Sequence, residues 1–249
     1  GLVSEALAGP KHLTSRYVGV CRSIRDAAAG KMPGREHDAI EIPSMVDLSE
    51  FHPDDRQRMR AELGINETIP VIGWVGRLDE KKRVEDFITA AAIVHQQRPD
   101  VLFLIVGGPD AFMTEYAEKL QLLALKSHLQ HALRFLGDRS DVPALLAAMD
   151  IFAWLSEGEG MPHVIAEAGA AGLSVIATPD NGALQQIEDE LSGLFVPHRA
   201  PEAVAKAMVR LLDDSTLRTR LGTALRAKVE NTYSAAVVTP QWRRLIDTV

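Results

Sequence analysis

The sequence predicts an α/β fold in which a Rossmann-like parallel sheet is covered by helices on both faces. From residue 69 onward, short apolar runs that end at Gly, Pro or Asp alternate with longer segments of helical period. The short runs are apolar along their whole length, which is typical of strands buried on both faces of a parallel sheet. Ligands of such sheets bind beyond the carboxyl ends of the strands, so a site is expected in the loops there.

The chain opens with two predicted strands, at 17–21 and 39–42, on either side of a predicted helix at 22–29. Because a two-strand unit is marginal on its own, residues 1–50 are expected to be the tail of a preceding, partial second Rossmann-like domain together with a linker. The linker itself is predicted at 43–53, a stretch that contains two prolines.

The main domain is predicted for residues 51–233. Its strand candidates are 70–75, 101–106, 134–136, 151–155, 173–177 and 194–196. Its helix candidates are 84–97, 114–127, 142–149, 164–171, 183–189, 201–213 and 216–231. The regular alternation of the two kinds of segment indicates strand–helix units that are joined in sequence.

Composition excludes several classes of protein and partner. The chain has 249 residues, of which 46% are hydrophobic and 24% charged, so it is neither disordered nor fibrous. Its 27 Lys and Arg against 34 Asp and Glu give a net charge of −7, without the basic footprint that nucleic-acid binding needs. The longest apolar run, 101–106, is far short of the ~20 residues that span a bilayer.

Cysteine usage indicates a reducing compartment. Cys21 stands alone, which permits no internal disulfide and no cysteine-based zinc site. We therefore expect a cytoplasmic location, and we expect Cys21 to be a small buried hydrophobic residue rather than a nucleophile.

The first loop with candidate chemistry follows the strand at 70–75. Gly76 allows a ligand to approach the backbone, while Arg77 and Lys82 place two cations at the same edge of the sheet. Two cations suit a diphosphate, and together they could neutralise a leaving group without a metal. The alternative is that this charged loop is only solvated surface.

The second loop joins the strand at 151–155 to a helix. Gly160 and Pro162 form a turn whose free N–H groups point outward at a helix N-terminus, where an anion or a polyhydroxyl ligand can bind. Glu159 precedes the turn and Glu167 lies in the helix, so they are expected to have different tasks. A carboxylate can hold a vicinal diol. Alternatively, both glutamates only stabilise the helix dipole.

A third loop follows the strand at 134–136. Ser140 or Asp141 is a suitable N-cap and Pro143 suits the first helical turn, which accounts for much of the loop structurally. A functional alternative is that the turn offers backbone groups to a nucleobase. With the glycine-containing turns at 107–108 and 179–182, these loops outline one crevice.

Taken in order, these loops resemble the C-terminal, donor-binding domain of a GT-B glycosyltransferase of family 4 (group 1). The likeness runs from about Ile40 to the C-terminus. The matching segments are Ile-Pro-Ser-Met-Val-Asp at 42–47, Gly76-Arg77 with Lys82, Phe-Leu-Gly at 135–137, the E-x7-E pattern of Glu159 and Glu167, and the strand at 172–178. Gln185 stands where many members carry Glu, and Asn181-Gly182 replaces a Gly-Gly turn.

The resemblance implies a role for each matching position. Donor-binding roles fall to Gly76, Arg77, Lys82, Arg139, Gly160, Met161, Pro162, His163 and Glu167, and catalytic roles to Glu159, Arg77 and Lys82. By this analogy the two cations hold the diphosphate, Glu167 the ribose and Glu159 the transferred sugar, while Arg139 meets the base through its main chain. His163 is either a backbone contributor or an exposed loop histidine, and we favour the second.

The implied function is retaining transfer of a sugar from a UDP-, GDP- or ADP-sugar to a hydroxyl of a carbohydrate or lipid-linked acceptor, with no cofactor and no metal. The last residues, 234–249, resemble a final helix that packs back toward the N-terminal part. Weak or absent activity of this chain alone, self-association, and peripheral membrane binding through an N-terminal domain are further expectations. The alternatives are a non-catalytic nucleotide-sugar-binding module and a sugar-nucleotide epimerase; the E-x7-E spacing favours the transferase over the epimerase.

Overall fold

A computed structural model describes residues 15–109 and 114–248 of the chain. Its strands are β1 (Tyr17–Gly19), β2 (Ala39–Glu41), β3 (Val71–Val75), β4 (Leu102–Val106), β5 (Leu133–Phe135), β6 (Ile151–Trp154), β7 (Ser174–Ala177) and β8 (Leu194–Phe195). Its α-helices are α1 (Arg22–Ala29), α2 (Arg56–Glu62), α3 (Val84–Gln97), α4 (Thr114–Lys126), α5 (Val142–Ala147), α6 (His163–Ala170), α7 (Asn181–Gln186), α8 (Pro201–Asp213), α9 (Ser215–Thr232) and α10 (Ala235–Asp247).

The central sheet has the strand order β5-β4-β3-β6-β7-β8, and each of its strand pairs is parallel. The chain builds the sheet outward from β3 to β5, returns to the other side of β3, and builds outward again from β6 to β8. The strand order therefore reverses between β3 and β6. A reversal of this kind leaves a crevice at the carboxyl ends of the two strands, because the connecting helices leave in opposite directions.

Helices cover both faces of the sheet, which confirms the predicted fold class. Alternate side chains of each strand point to opposite faces, so Ile72 belongs to one buried cluster and Val71 to the other. The first cluster contains residues of α3, α4 and α8, and the second contains residues of α5, α6 and α9. Burial on both sides explains why these strands are apolar along their whole length.

Most predicted elements occur within one or two residues of the expected bounds. Helices α3 and α8 begin and end as predicted. Helix α7 begins at Asn181 rather than at the expected 183, because the carboxylate of Asp180 accepts the N–H of Asn181 and caps the helix earlier. Helix α2 was not predicted, since one of its two buried residues, Arg60, is charged and breaks the apolar period.

The N-terminal unit comprises β1, α1 and β2, with the two strands paired in parallel in a separate sheet. Val46, which follows β2, donates its N–H to the carbonyl of Tyr233 at 2.8 Å. Residues of β2 and of α10, among them Ile40 and Leu245, line a common groove. The division of the chain into domains at 50 and 233 stays a prediction.

No helix in the described ranges combines the length and the apolar character that crossing a bilayer requires.

Candidate functional site

A cavity of about 410 Å³ opens beside the carboxyl ends of β3 and β6, at the point where the strand order reverses. It is lined by Phe51, Val75, Gly76, Lys82, Val142, Trp154, Glu159, Met161, Pro162, His163, Val164 and Glu167. Seven of the residues predicted from sequence therefore meet here: Gly76, Lys82, Glu159, Met161, Pro162, His163 and Glu167. The cavity has a charged side and an apolar side, which suits a ligand with phosphate or sugar groups joined to a flat ring.

The loop after β3 carries Lys82 into the cavity. The N–H of Gly76 donates to the carbonyl of Val106 at 2.9 Å, which holds the start of the loop against β4. Asp79 then caps a short 3₁₀ turn, Glu80–Lys82, by accepting the N–H of Lys81 at 2.9 Å. Close packing demands a glycine at position 107, where a Cβ would lie 1.8 Å from the carbonyl oxygen of Gly76.

Lys82 and Glu159 form an ion pair inside the cavity. Their Nζ and Oε1 atoms are 2.6 Å apart, and their side chains are 20% and 26% exposed. The two residues are 77 positions apart in the chain, and the order of the strands brings them together. The cavity thus offers one ammonium group and one carboxylate. Each of them can give up its present partner and bind a charged or polar group of a ligand instead.

The two ends of α7 hold the loop that carries Glu159. The carboxylate of Asp180 accepts the N–H of Glu159 at 2.7 Å, and the side-chain amide of Gln186 donates to the carbonyl of Pro162 at 3.0 Å. Gly182 lies so close that a Cβ there would be 2.1 Å from the carbonyl oxygen of Gly160. The loop therefore has a defined shape, because both of its ends are bonded to a neighbouring element.

Glu167 lies in α6 and faces the same cavity. Its side chain is largely buried, and burial raises the pKa of this carboxyl group above its ordinary value, because the charged form is poorly solvated. His163 is the first residue of α6; it is exposed and also lines the cavity. The exposed side chain agrees with the favoured description, although His163 lies in a helix rather than in a loop; a contribution of its backbone stays a prediction.

Arg77, Arg139 and Gly160 are not among the residues that line the cavity. Arg77 is exposed in the loop directly after Gly76. Arg139 lies in the loop after β5, where its guanidinium donates to both carboxylate oxygens of Asp141 at 2.7 and 2.6 Å. This contact lowers the pKa of Asp141.

Asp141 occupies the N-cap position of α5 without capping it through its side chain, because Arg139 binds its carboxylate. Asp141 is therefore at the expected N-cap position, but its side chain does not form the capping hydrogen bond. Pro143 lies in the first turn of α5, as predicted.

The apolar wall of the cavity was missed by the sequence analysis as part of the site. It includes Phe51, Val142 and Trp154. Trp154 is the last residue of β6, and its buried indole N–H has no hydrogen-bond partner among the described residues. The position of Trp154 at the end of a strand could have indicated that it lines a site. Several strands end in this way, however, and only the strand order shows which of these ends lies beside the cavity.

In the described part of the chain, no group of three or more His, Cys, Asp or Glu side chains is arranged to hold a metal ion.

Comparison with known proteins gives a family match and two sets of relatives. The family model described as "Glycosyl transferases group 1" matches residues 55–228. A GDP-mannose-dependent monoacylated alpha-(1-6)-phosphatidylinositol monomannoside mannosyltransferase of Corynebacterium glutamicum is 34% identical over 220 residues, covering 84% of this chain and 55% of that protein. A D-inositol 3-phosphate glycosyltransferase of Salinispora arenicola is 32% identical over 193 residues, covering 73% of this chain and 43% of that protein. The chain spans about half the length of these relatives.

Two solved structures illustrate the likeness in fold. Anabaena Alr3699/HepE in complex with UDP and glucose matches with a TM-score of 0.90 and 22% identity, covering 99% of this chain and 67% of that chain. The C-terminal domain of a glycosyl transferase group 1 family protein (LpcC) from Francisella tularensis matches with a TM-score of 0.71 and 26% identity, covering 76% of this chain and 99% of that one.

Proposed function

This chain belongs to the group 1 glycosyl transferases, as its motifs indicated, and we propose that it forms the donor-binding part of a retaining glycosyltransferase that uses a nucleotide-diphosphate-sugar. One observation carries the proposal. The cavity at the reversal of strand order brings Gly76, Lys82, Glu159 and Glu167 together from separate elements. Such a donor would need a cation, two carboxylates and a glycine that lets the ligand approach the backbone closely.

The diphosphate is assigned to Lys82 and Arg77, next to the backbone of Gly76. Lys82 lies on the cavity wall, where a diphosphate would take the place of Glu159 as the partner of its ammonium group. Arg77 lies one residue after Gly76 and adds a guanidinium at the same edge of the sheet. Fixed positive charge at this point would stabilise the negative charge that develops on a departing diphosphate.

The two glutamates are assigned to the two sugars of the donor. Glu167 would accept hydrogen bonds from the ribose hydroxyls, and Glu159 would accept them from the transferred sugar once Lys82 turns to the diphosphate. Backbone groups of 160–163 would add donors at the start of α6, where the helix dipole favours negative charge. The main chain at Arg139 would meet the base.

The reaction would break the bond between the anomeric carbon and the diphosphate oxygen, with the electron pair leaving on the diphosphate. The acceptor oxygen would form the new bond on the same face of the sugar, and its proton would pass to the departing diphosphate. Names of similar proteins support the donor class: one relative is GDP-mannose-dependent, and one neighbouring structure holds UDP and glucose. The name of a further relative, an Escherichia coli galactosyltransferase, contains a diphosphoundecaprenol, which supports a carbohydrate or lipid-linked acceptor.

A calorimetric titration of the chain with UDP-, GDP- and ADP-sugars tests the proposal. We expect one of these donors to bind, with the same affinity in the presence of EDTA. Failure of all three, or binding that a chelator abolishes, would contradict it. Analysis of the products formed from the best donor separates the functions: transfer to an added acceptor supports a transferase, an epimerised sugar supports an epimerase, and an unchanged donor supports a binding module.

A further inference from the structure

The side chain of Gln185 joins α7 to the N-terminal unit. Its Oε1 accepts the backbone N–H of Arg22 at 2.9 Å, and its Nε2 donates to the carboxylate of Glu41. Its own carbonyl accepts the hydroxyl of Tyr233 at 3.1 Å. A carboxamide can accept from an N–H and donate to a carboxylate at the same time, whereas a carboxylate can only accept.

The same short helix holds the loop of Glu159 through other residues. Asp180 and Gln186 bind the backbone at Glu159 and at Pro162. Helix α7 therefore contacts the loop at both of its ends, through Asp180 and Gln186, and contacts the N-terminal unit through Gln185. Because Gln185 and Gln186 are adjacent, we expect a change at the contact with the N-terminal unit to reach the loop.

The N-terminal unit also contacts this loop directly. The thiol of Cys21 donates to the carbonyl of Gly160 at 3.4 Å. A Cβ at Gly160 would lie 2.6 Å from Cδ1 of Ile24 in α1. The loop is thus packed between α1 on one side and α7 on the other, and Gln185 spans these two helices.

We propose that Gln185 is a positioning residue that fixes the N-terminal unit against α7 and so holds the Glu159 loop in the shape that receives the sugar of the donor. The inference rests on the proposed function of that loop. Gly76, Lys82 and Glu167 lie on the β3 loop and on α6, which Gln185 does not bond. We therefore expect a change at Gln185 to affect binding of the sugar more than binding of the nucleotide.

An exchange of the two side chains tests the pairing. In Gln185→Glu, two carboxylates meet and repel each other at neutral pH. In Glu41→Gln, the amide of Gln185 still finds an oxygen acceptor, so little should change. The double variant Gln185→Glu with Glu41→Gln restores one donor and one acceptor with the roles reversed. Gln57→Glu, at an exposed position of α2, is the matched control for the added charge.

The measurement is the affinity of the full 249-residue chain for UDP-glucose against UDP, and for GDP-mannose against GDP. We expect Gln185→Glu to weaken binding of the nucleotide-sugar about tenfold, the effect of one lost or repulsive polar contact. The nucleoside diphosphate alone should bind within about twofold of the unsubstituted chain, and the double variant should recover most of the loss.

Three results would overturn the proposal: unchanged sugar binding in Gln185→Glu, an equal loss for nucleotide and nucleotide-sugar, or no recovery in the double variant. Hydrogen exchange of the unliganded chain keeps the test separate from the proposed function. Gln185→Glu should speed exchange at the amides of Arg22 and Glu159, and the double variant should slow it again. If no donor binds but exchange follows this pattern, the proposed function fails while the positioning contact stands; unchanged exchange refutes the contact itself.

Discussion

The ion pair between Lys82 and Glu159 shows how individual side chains of the cavity are prepared for a ligand. The two side chains are only 20% and 26% exposed, and each charge is compensated by the other at 2.6 Å. Partial burial without this partner would be costly for either charge. A ligand that binds here must therefore offer an anion to Lys82 and hydrogen-bond donors to Glu159, which restricts the ligand class.

Lys82→Met should weaken binding of a nucleoside diphosphate about tenfold or more, because a charge-assisted contact contributes ~1.5–3 kcal/mol. Arg77→Ala should have an effect of similar size. Lys81→Met is the matched control, since Lys81 is an exposed lysine of the same turn. Calorimetry with the best-binding nucleotide checks the prediction. Equal affinities in all four proteins would remove both cations from the diphosphate site.

Substitutions of Glu159 and Glu167 should affect the binding of different ligands. Glu167→Gln should weaken the free nucleotide and the nucleotide-sugar alike, because the ribose is common to both. Glu159→Gln should weaken the nucleotide-sugar and spare the free nucleotide. Titrations of both variants with both ligands provide the check, and the opposite pattern would show that the two roles are exchanged.

Glu167 should also make stability depend on pH. Its pKa is raised by burial in the folded state, so the folded protein binds this proton more tightly than the unfolded chain does. The stabilising effect of the protonated form is present at low pH and is lost as pH rises through the raised pKa. Glu167→Gln should therefore increase Tm at pH 8, and the increase should shrink at pH 5. A difference in Tm that is constant with pH would contradict this assignment.

Helix α2 lacks an apolar period in its sequence and is held in place by a buried polar contact. Arg60 is fully buried, and its guanidinium donates to Asp150 at 2.8 Å and to the carbonyl of Ala148 at 3.0 Å. Asp150 in turn accepts the N–H of Val71 at 2.8 Å, at the start of β3. Desolvation lowers the pKa of Arg60, and Asp150 opposes that shift. The contact thus joins α2 to the strand that leads into the cavity.

Arg60→Met should lower the free energy of unfolding by ~1–3 kcal/mol, since it removes one of the two guanidinium partners of Asp150 and leaves several carbonyl groups without a donor. Arg58→Met is the control on the same helix. Arg58 pairs with Asp55 and Glu62 at the surface, and exposed pairs contribute ~0–1 kcal/mol. Urea denaturation of both variants measures the difference. A similar loss in the two would mean that burial of Arg60 contributes nothing specific.

At the scale of the whole molecule, the cavity proposed to bind the donor is lined by residues from several loops, from strands β3 and β6 and from helix α6. The chain spans about half the length of its curated relatives, and the proposed donor contacts come from loops of the central sheet and from helix α6. An acceptor hydroxyl must be held at near-attack distance from the anomeric carbon. This positioning effect can contribute ~7–11 kcal/mol to catalysis.

We therefore expect the 249-residue chain to bind its donor but to show little or no acceptor-dependent transfer. Transfer assays with the best-binding donor and a panel of sugar and lipid-linked acceptors test this, and light scattering reports self-association at the same time. Rapid retaining transfer by a monomeric chain would refute the expectation and show that the N-terminal unit builds an acceptor site of its own.

The fold class and the positions of nearly all strands and helices of the main sheet could be predicted from the sequence, and so could the loops that line most of the cavity. These features depend on short stretches of sequence. An apolar run indicates a strand buried on both faces, and a glycine or a cation at its end indicates a loop that can face a ligand. The contacts between distant positions became known from the three-dimensional structure; examples are Lys82 with Glu159, Arg60 with Asp150, and Gln185 with Glu41. The physical reason is that periodicity shows how far a residue is buried but not against which partner. The partner is chosen by the order of the strands and the packing of the helices, which are properties of the whole chain.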